Sequence, residues 1–533
     1  DGITADFGVP SAITMSQVPT STPQDAFMAV AFNPPPVATV KDKFGNALAT
    51  ANVNRSAYAL VASIATRTTT SGTITVNGRV DSTSTDAANN HYGVWIGNNN
   101  ASSLAYITTG SGDINILGDS TNNTSGVNRR GIIMYKASIS SSSGAVTLDG
   151  RANTNSGCND LWFYTGNNTV SSTSGAVTIK GSTGSTTQLE TSTISSGTSV
   201  TLQLSKPVIT ASHTVTLGGA SPKVIESPSG TTAFAATVDL TGVAVASTTT
   251  SLRVGRSTNS SAVTVGTAWS VAGPVSVYGS SIAVNANQTI TASGSAFLAK
   301  ATGDITTASG VTVQTNGGNI VFWPNSDKVA GVANNSGRFA SGTNTTLKSQ
   351  GGGIWLAGGL DDGGADATIT AAKGAWSSVV SGDSLPDGYG VGNSTSGQSM
   401  GIYLASGYRL DSAGGDIFIA GMDAPSTADS SATVQIVDGL IDSGTGRIAI
   451  FAKAYANATS NQGLVLHRDD NTAGSVITSA NRTAQAITLY SDTSPNTNTT
   501  SDGISAWGYS PSTALFGYQS LQLIATGLKN SAD

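Results

Sequence analysis

The chain has 533 residues, of which 11% are charged, with a net charge of −6 at neutral pH and 63 glycines. Glutamate occurs only at Glu190 and Glu226, while Val, Ile, Thr, Ser and Asn are frequent, a balance that favours strands and turns over helices. This balance excludes a basic nucleic-acid footprint, the lone Cys158 excludes a disulfide framework, and no apolar run reaches the ~18 residues of a membrane-spanning helix.

The first stretch differs from the rest. Pro34-Pro35-Pro36 leads into an alternating strand from Val37 that ends in a Phe44-Gly45-Asn46 turn, and Ala57 to Ala65 reads as a further strand. Residues 1–66 are expected to form an N-terminal immunoglobulin-like, sandwich-like or capping β-module.

From Gly72 a short pattern recurs. It reads Gly72-Thr73-Ile74-Thr75-Val76-Asn77-Gly78 and returns as Gly112-Asp113-Ile114-Asn115-Ile116, Gly144-Ala145-Val146-Thr147-Leu148 and Gly175-Ala176-Val177-Thr178-Ile179. Later forms begin at Gly353, Gly415 and Gly446. Each predicts a short strand with period two. Two weaker segments accompany it. One carries a large apolar group, as in Gly93-Val94-Trp95-Ile96, Gly131-Ile132-Ile133-Met134 and Gly401-Ile402-Tyr403-Leu404. The other has one apolar residue beside a polar one, as in Ile107-Thr108, Ile139-Ser140 and Leu410-Asp411.

Three strands per unit predict a coil. In the middle of the chain Val275, Phe297 and Ile320 recur at steps of about 22 residues, Ile282 matches Ile305, and Ile290 matches Val311. No single coil can bury its own apolar edge, so stacking at about 4.8 Å must fuse the edges into one column. The expected fold is all-β: a right-handed parallel β-helix over residues 67–515. Outward loops are expected near Asp119 to Asn128 and Asp361 to Ala365. A strand is expected near Ser520 to Leu528, within residues 516–533, as an element for subunit contact. Glycine is expected at the corners because it supplies positive φ.

Residues about 70–510, densest between Pro274 and Trp323, resemble the coils of filamentous-haemagglutinin-type surface proteins. The segment Val37 to Asn46 and the tail Ala525-Thr526-Gly527-Leu528 resemble parts of bacterial immunoglobulin-like repeats. These resemblances imply stalks, adhesins and surface filaments.

Chemistry is sparse. Asp361, Asp362 and Asp366, and also Asp469 and Asp470, lie in turn-rich stretches where Asp is a common turn residue. Arg129-Arg130 has no acidic neighbours in sequence, and Arg468 adjoins Asp469. His91, His213 and His467 lie far apart. The residues call for no catalytic group, cofactor or metal. The aromatics point to contact instead. Trp95 and Trp355 sit between apolar neighbours, so period two turns them outward. With Trp162, Tyr164 and Tyr403 they are the candidate contact surface, toward a second copy, a neighbouring surface protein or a glycan. The expected function is a non-enzymatic extracellular structural protein of the cell surface. A carbohydrate-binding or carbohydrate-cleaving β-helix is the alternative.

Overall fold

The computed structural model describes residues 12–17, 37–41, 51–56, 60–62, 67–80, 91–97, 104–121, 129–154, 157–164, 166–327, 336–359, 385–386, 388–393, 399–424, 431–454, 461–468, 475–482, 486–492 and 502–508. They contain strands and turns and no helix. The fold is a right-handed parallel β-helix, divided into two compact units: residues 1–238 with 242–249, and 239–241 with 250–533.

In the first unit three ladders of parallel strands alternate along the chain. The first holds Ala51–Ser56, Ile74–Arg79, Ile114–Asp119, Val146–Arg151, Val177–Lys180, Val200–Gln203 and Lys223–Glu226. The second holds Leu60–Ala62, His91–Gly97, Arg129–Tyr135, Asn159–Tyr164, Thr186–Leu189 and Lys206–Ile209. The third holds Arg67–Thr69, Ala105–Thr109, Ala137–Ser141, Asn168–Ser172, Ser192–Ser196, Val215–Gly218 and Val243–Val245. Alternation places Ile114, Val146, Val177 and Val200 in one register row, and Ile116, Leu148, Ile179 and Leu202 in the next. All eight are buried. These rows are the core: each strand covers the apolar edge that its predecessor leaves exposed.

Stacking begins earlier than the sequence suggests. Ala51–Ser56 and Leu60–Ala62 pair in parallel with Ile74–Arg79 and His91–Gly97, so coil strands precede the boundary at residues 66 and 67. What pairs otherwise is Ala12–Gln17 with Val37–Lys41, which run antiparallel. The Phe44-Gly45-Asn46 turn, the loops expected at 361–365 and near 128, and the tail from Ser520 lie outside the described residues.

One corner column explains the glycine pattern. Ser141 Oγ donates to the Gly112 carbonyl (3.0 Å) and accepts from the Gly144 amide (2.8 Å). Ser172 Oγ repeats this one coil on, with the Gly144 carbonyl (2.7 Å) and the Gly175 amide (2.9 Å). Thr109 does the same one coil earlier, toward Gly72 and Gly112. A Cβ on Gly144 would fall on the carbonyl oxygen of Gly112, and one on Gly175 would fall on that of Gly144. Positive φ, the expected reason for corner glycines, is found at other positions such as Gly97 and Gly219. In this column the cause is close approach of backbone to backbone.

In the second unit the first ladder runs through Leu252–Val254, Val275–Gly279, Phe297–Ala301, Ile320–Trp323, Ile354–Leu356, Ile417–Met422, Ile448–Lys453 and Ile487–Asp492. Val275, Phe297 and Ile320 are register partners, as are Ile282 and Ile305. Ile290 and Val311 are not. Gln288 pairs Val313, and the register then shifts before Ser293. Gln288 is buried on the face that alternation gives Ile290, and its Nε2 donates to the carbonyls of Thr267 and Ala286.

The outer face of this first ladder is apolar. Trp355, Phe418, Phe451 and Tyr490 follow one another with ring centroids 4.7, 5.5 and 5.7 Å apart. Leu385, Tyr389 and Val391, from the long connection after Leu356, pack over them. Antiparallel bridges Gly358–Gly388 and Gly337–Val391 hold this cover, and Trp323 Nε1 donates to the Gly359 carbonyl (2.7 Å).

Candidate contact face

Three of the five expected contact residues, Trp95, Trp162 and Tyr164, assemble on the outer face of the second ladder of the first unit. Register fixes their neighbours. Trp95, Ile133, Trp162 and Gln188 form one row across the strands, and Tyr92, Arg130, Asn159 and Thr186 form another. Gly97, Tyr135 and Tyr164 form a third. The inward rows keep the coil core, with Val94, Ile132 and Leu161 buried beneath.

The rings pack as a continuous cluster. Trp95 meets Tyr92 edge-on at 5.1 Å and stacks on Tyr135 at 5.3 Å. Tyr164 meets Tyr135 at 4.8 Å and Trp162 at 4.4 Å, both edge-on. Tyr92, Ile133 and Tyr135 are buried, while Trp95, Trp162 and Tyr164 keep partly open surfaces. Offset and edge-to-face packing of this kind holds rings in fixed orientation.

Polar groups are set among the rings. The Arg130 guanidinium lies over Trp162, 3.8 Å from the ring centroid, and its Nη1 donates to the Tyr92 hydroxyl (3.1 Å). Burial lowers the Arg130 pKa, and burial likewise pushes the Tyr135 hydroxyl up to about 12. Trp162 Nε1 donates to Glu190 Oε1 (3.3 Å), and Gln188 Nε2 donates to Thr210 Oγ1 (3.3 Å). Aromatic planes beside amide, guanidinium and carboxylate groups can hold a ligand with both apolar faces and hydroxyl edges.

The other two expected residues behave differently. Trp355 does point out of its coil, as period two requires. It is nevertheless fully buried, because Leu385, Tyr389 and Val391 cover it, so it is removed from the contact surface. Tyr403 is half-buried and packs on Met400, Ala432 and Val465, on a different ladder of the second unit.

Sequence reasoning left Tyr92, Tyr135, Arg130 and Glu190 out of the face. Tyr92 and Tyr135 flank the recurring segments 93–96 and 131–134, and their meeting depends on coil lengths that local patterns do not give. Arg130 and Glu190 are 60 residues apart in sequence.

The remaining candidates are scattered. His213 Nδ1 meets the Thr191 amide at 3.1 Å, a capping contact between coils. His467 is half-buried in the strand Asn461–Arg468, and Cys158 is buried. Asp361, Asp362, Asp366, Asp469 and Asp470 lie outside the described residues. Among the described residues no three His, Cys, Asp or Glu side chains group closely enough to hold a metal ion.

Comparison with known proteins gave no match to a family model, a curated protein or a solved structure.

Proposed function

We propose that this chain is a non-enzymatic structural protein displayed outside a bacterial cell, as an adhesin stalk or a surface-filament subunit of the filamentous-haemagglutinin type. It meets its partner through the Trp95–Trp162–Tyr164 face. One observation carries this reading. The outward rows of the third ladder in the same unit are mostly Ser and Thr, such as Ser138 with Thr169 and Ser140 with Ser171, with Tyr106 a single exposed ring among them, whereas the second ladder gathers Trp95, Trp162, Tyr164 and Arg130 into one packed outward cluster. A coil that needed only solubility would keep Ser and Thr on both faces.

At this face the alternative reading is carbohydrate binding. Glycosidic hydrolysis uses two facing carboxyl groups. At this face Glu190 has one oxygen engaged by Trp162, and Asp160 is directed into the coil, where it accepts from Thr187 and the Leu161 and Ser182 amides.

The test is adhesion of beads coated with the purified chain to bacterial and host-cell surfaces. The triple substitution Trp95→Ala, Trp162→Ala, Tyr164→Ala is expected to lower retention at least tenfold with the strand content of the far-UV spectrum unchanged. Retention equal to that of the unaltered chain overturns the reading.

A further inference from the structure

Arg130 sits unusually for an arginine. It is 7% exposed, yet no carboxylate among the described residues pairs with it. The groups that act on its charge are Tyr92, Tyr135 and Cys158, and burial is the largest influence. Its single hydrogen bond among the described residues goes to a neutral hydroxyl, and its buried Nε has no partner. Beside it, the indole Nε1 of Trp95 is also buried without a partner. Arg129, next in the chain, is wholly buried with all three guanidinium nitrogens unbonded. A buried cation without an anion is costly, and an approaching carboxylate would relieve that cost.

We infer that the aromatic face takes an acidic oligosaccharide, with a sugar ring lying against Trp162 and Tyr164 and its carboxylate held by Arg130. This rests on the contact-face reading above. The guanidinium is a planar fork that matches a carboxylate with paired N–H groups, and stacking on Trp162 already fixes its plane. Little side-chain entropy is then lost on binding. The face also suits a chain of sugars rather than a single ring. Its rows continue through Asn159, Gln188 and Thr186 to Lys206 and Val208 on the next strand, four strand steps from Tyr92 and Trp95, or about 19 Å. Lys206 adds a second cation on the Arg130 row, while the carboxylate of Glu190 lies on the Tyr164 side and is tied to Trp162. Positive and negative groups thus lie on opposite margins of the aromatic platform. The acidic group of a ligand is directed to one margin and its hydroxyls to the other.

The test uses a panel of uronic-acid and sialylated oligosaccharides of gluco, galacto and manno configuration, each paired with its methyl ester. The ester keeps ring and hydroxyls but removes the charge. Binding to the full chain is measured by calorimetry at low salt. At least one acid is expected to bind tenfold or more tightly than its ester. Arg130→Gln should bring that ratio close to one while ester binding stays within about threefold, and Arg130→Lys should keep part of the preference. Trp162→Ala should weaken acid and ester alike. Far-UV spectra confirm that each variant is folded. Equal binding of acid and ester overturns the carboxylate assignment but leaves a glycan-contact face. A preference that survives in folded Arg130→Gln overturns the role given to Arg130. No binding by any member, with adhesion still dependent on the three aromatics, overturns this inference alone. Loss of both overturns the function proposed above as well.

Discussion

At the scale of single residues, the coil interior is unforgiving of charge, and Lys223 shows this. It occupies the row of Val200, where an aliphatic residue belongs, and is fully buried. Among the described residues its amine donates to Ser221 Oγ (2.7 Å), and burial lowers its pKa from 10.5 to about 8. The unfolded chain therefore holds this proton more tightly than the folded one. Below about pH 8 both states are protonated and the full cost of the buried charge is present. As pH rises from 8 to 10.5 the folded state releases its proton first, and stability climbs. The urea midpoint of the native chain is expected to rise across that window relative to Lys223→Met, which lacks the group. At pH 7 the Met variant should be more stable by roughly 1–3 kcal/mol. Tryptophan fluorescence at pH 7, 8, 9 and 10 reads both. Parallel curves for the two proteins would mean that Lys223 is solvated in the folded state.

At the scale of the element, the corner between the third and first ladders sets the coil spacing. The same three-residue step joins Thr109 to Gly112, Ser141 to Gly144 and Ser172 to Gly175 through the glycine amide, and in the second unit Ser412 to Gly415 and Ser443 to Gly446, where the hydroxyl donates to the glycine carbonyl instead. The two residues do different things. In the first unit the hydroxyl satisfies a carbonyl and an amide that the turn would otherwise strand, and the glycine lets one backbone settle on another. Their removal should differ accordingly. Gly144→Ala sets a methyl against backbone that cannot swing aside, and is expected to cost about 2–4 kcal/mol. Ser172→Ala leaves the Gly144 carbonyl and Gly175 amide unpaired, and is expected to cost about 1–3 kcal/mol. Chemical denaturation of both variants checks this. A Gly144→Ala chain as stable as the parent would show that the coils are not in close backbone contact there. The recurring glycines were plain in the sequence, because their spacing repeats. Their reason was not, since φ and approach distance depend on the coil beneath. The serine three residues earlier was hidden in a chain where serine is everywhere.

At the scale of the molecule, the fold was legible because one physical requirement, covering an apolar edge, repeats in every coil and leaves Val and Ile at alternate positions. Register was legible where coils keep one length, as from Val275 to Ile320, and was lost where Gln288 enters the interior and shifts the pairing. The contact face was half legible. Period two gave the direction of Trp95 and Trp355, but nothing local distinguishes Trp95, left partly open, from Trp355, hidden under Leu385 and Tyr389. The same division governs how salt should act. Cohesion comes from apolar rows and from neutral hydroxyl–carbonyl bonds. Ion pairs such as Arg151–Asp149 and Arg409–Asp411 lie toward the surface, where such pairs contribute about 0–1 kcal/mol, and Arg447–Asp416 is half-buried. Raising sodium chloride from about 0.02 to 0.5 M, which shortens the screening length several-fold, should therefore move the melting temperature by no more than about 2 °C. Sulfate should raise it, because it strengthens burial of apolar surface. Calorimetric melts across that series measure both. A melting point that falls steeply with chloride would place the stabilising energy in charge pairs instead of the stacked interior. Contact with an acidic ligand through Arg130 obeys the opposite rule, since a charged ligand must be drawn from salt solution to a charged group, and it weakens over the same salt step. Salt thus separates what holds the coil together from what the coil holds.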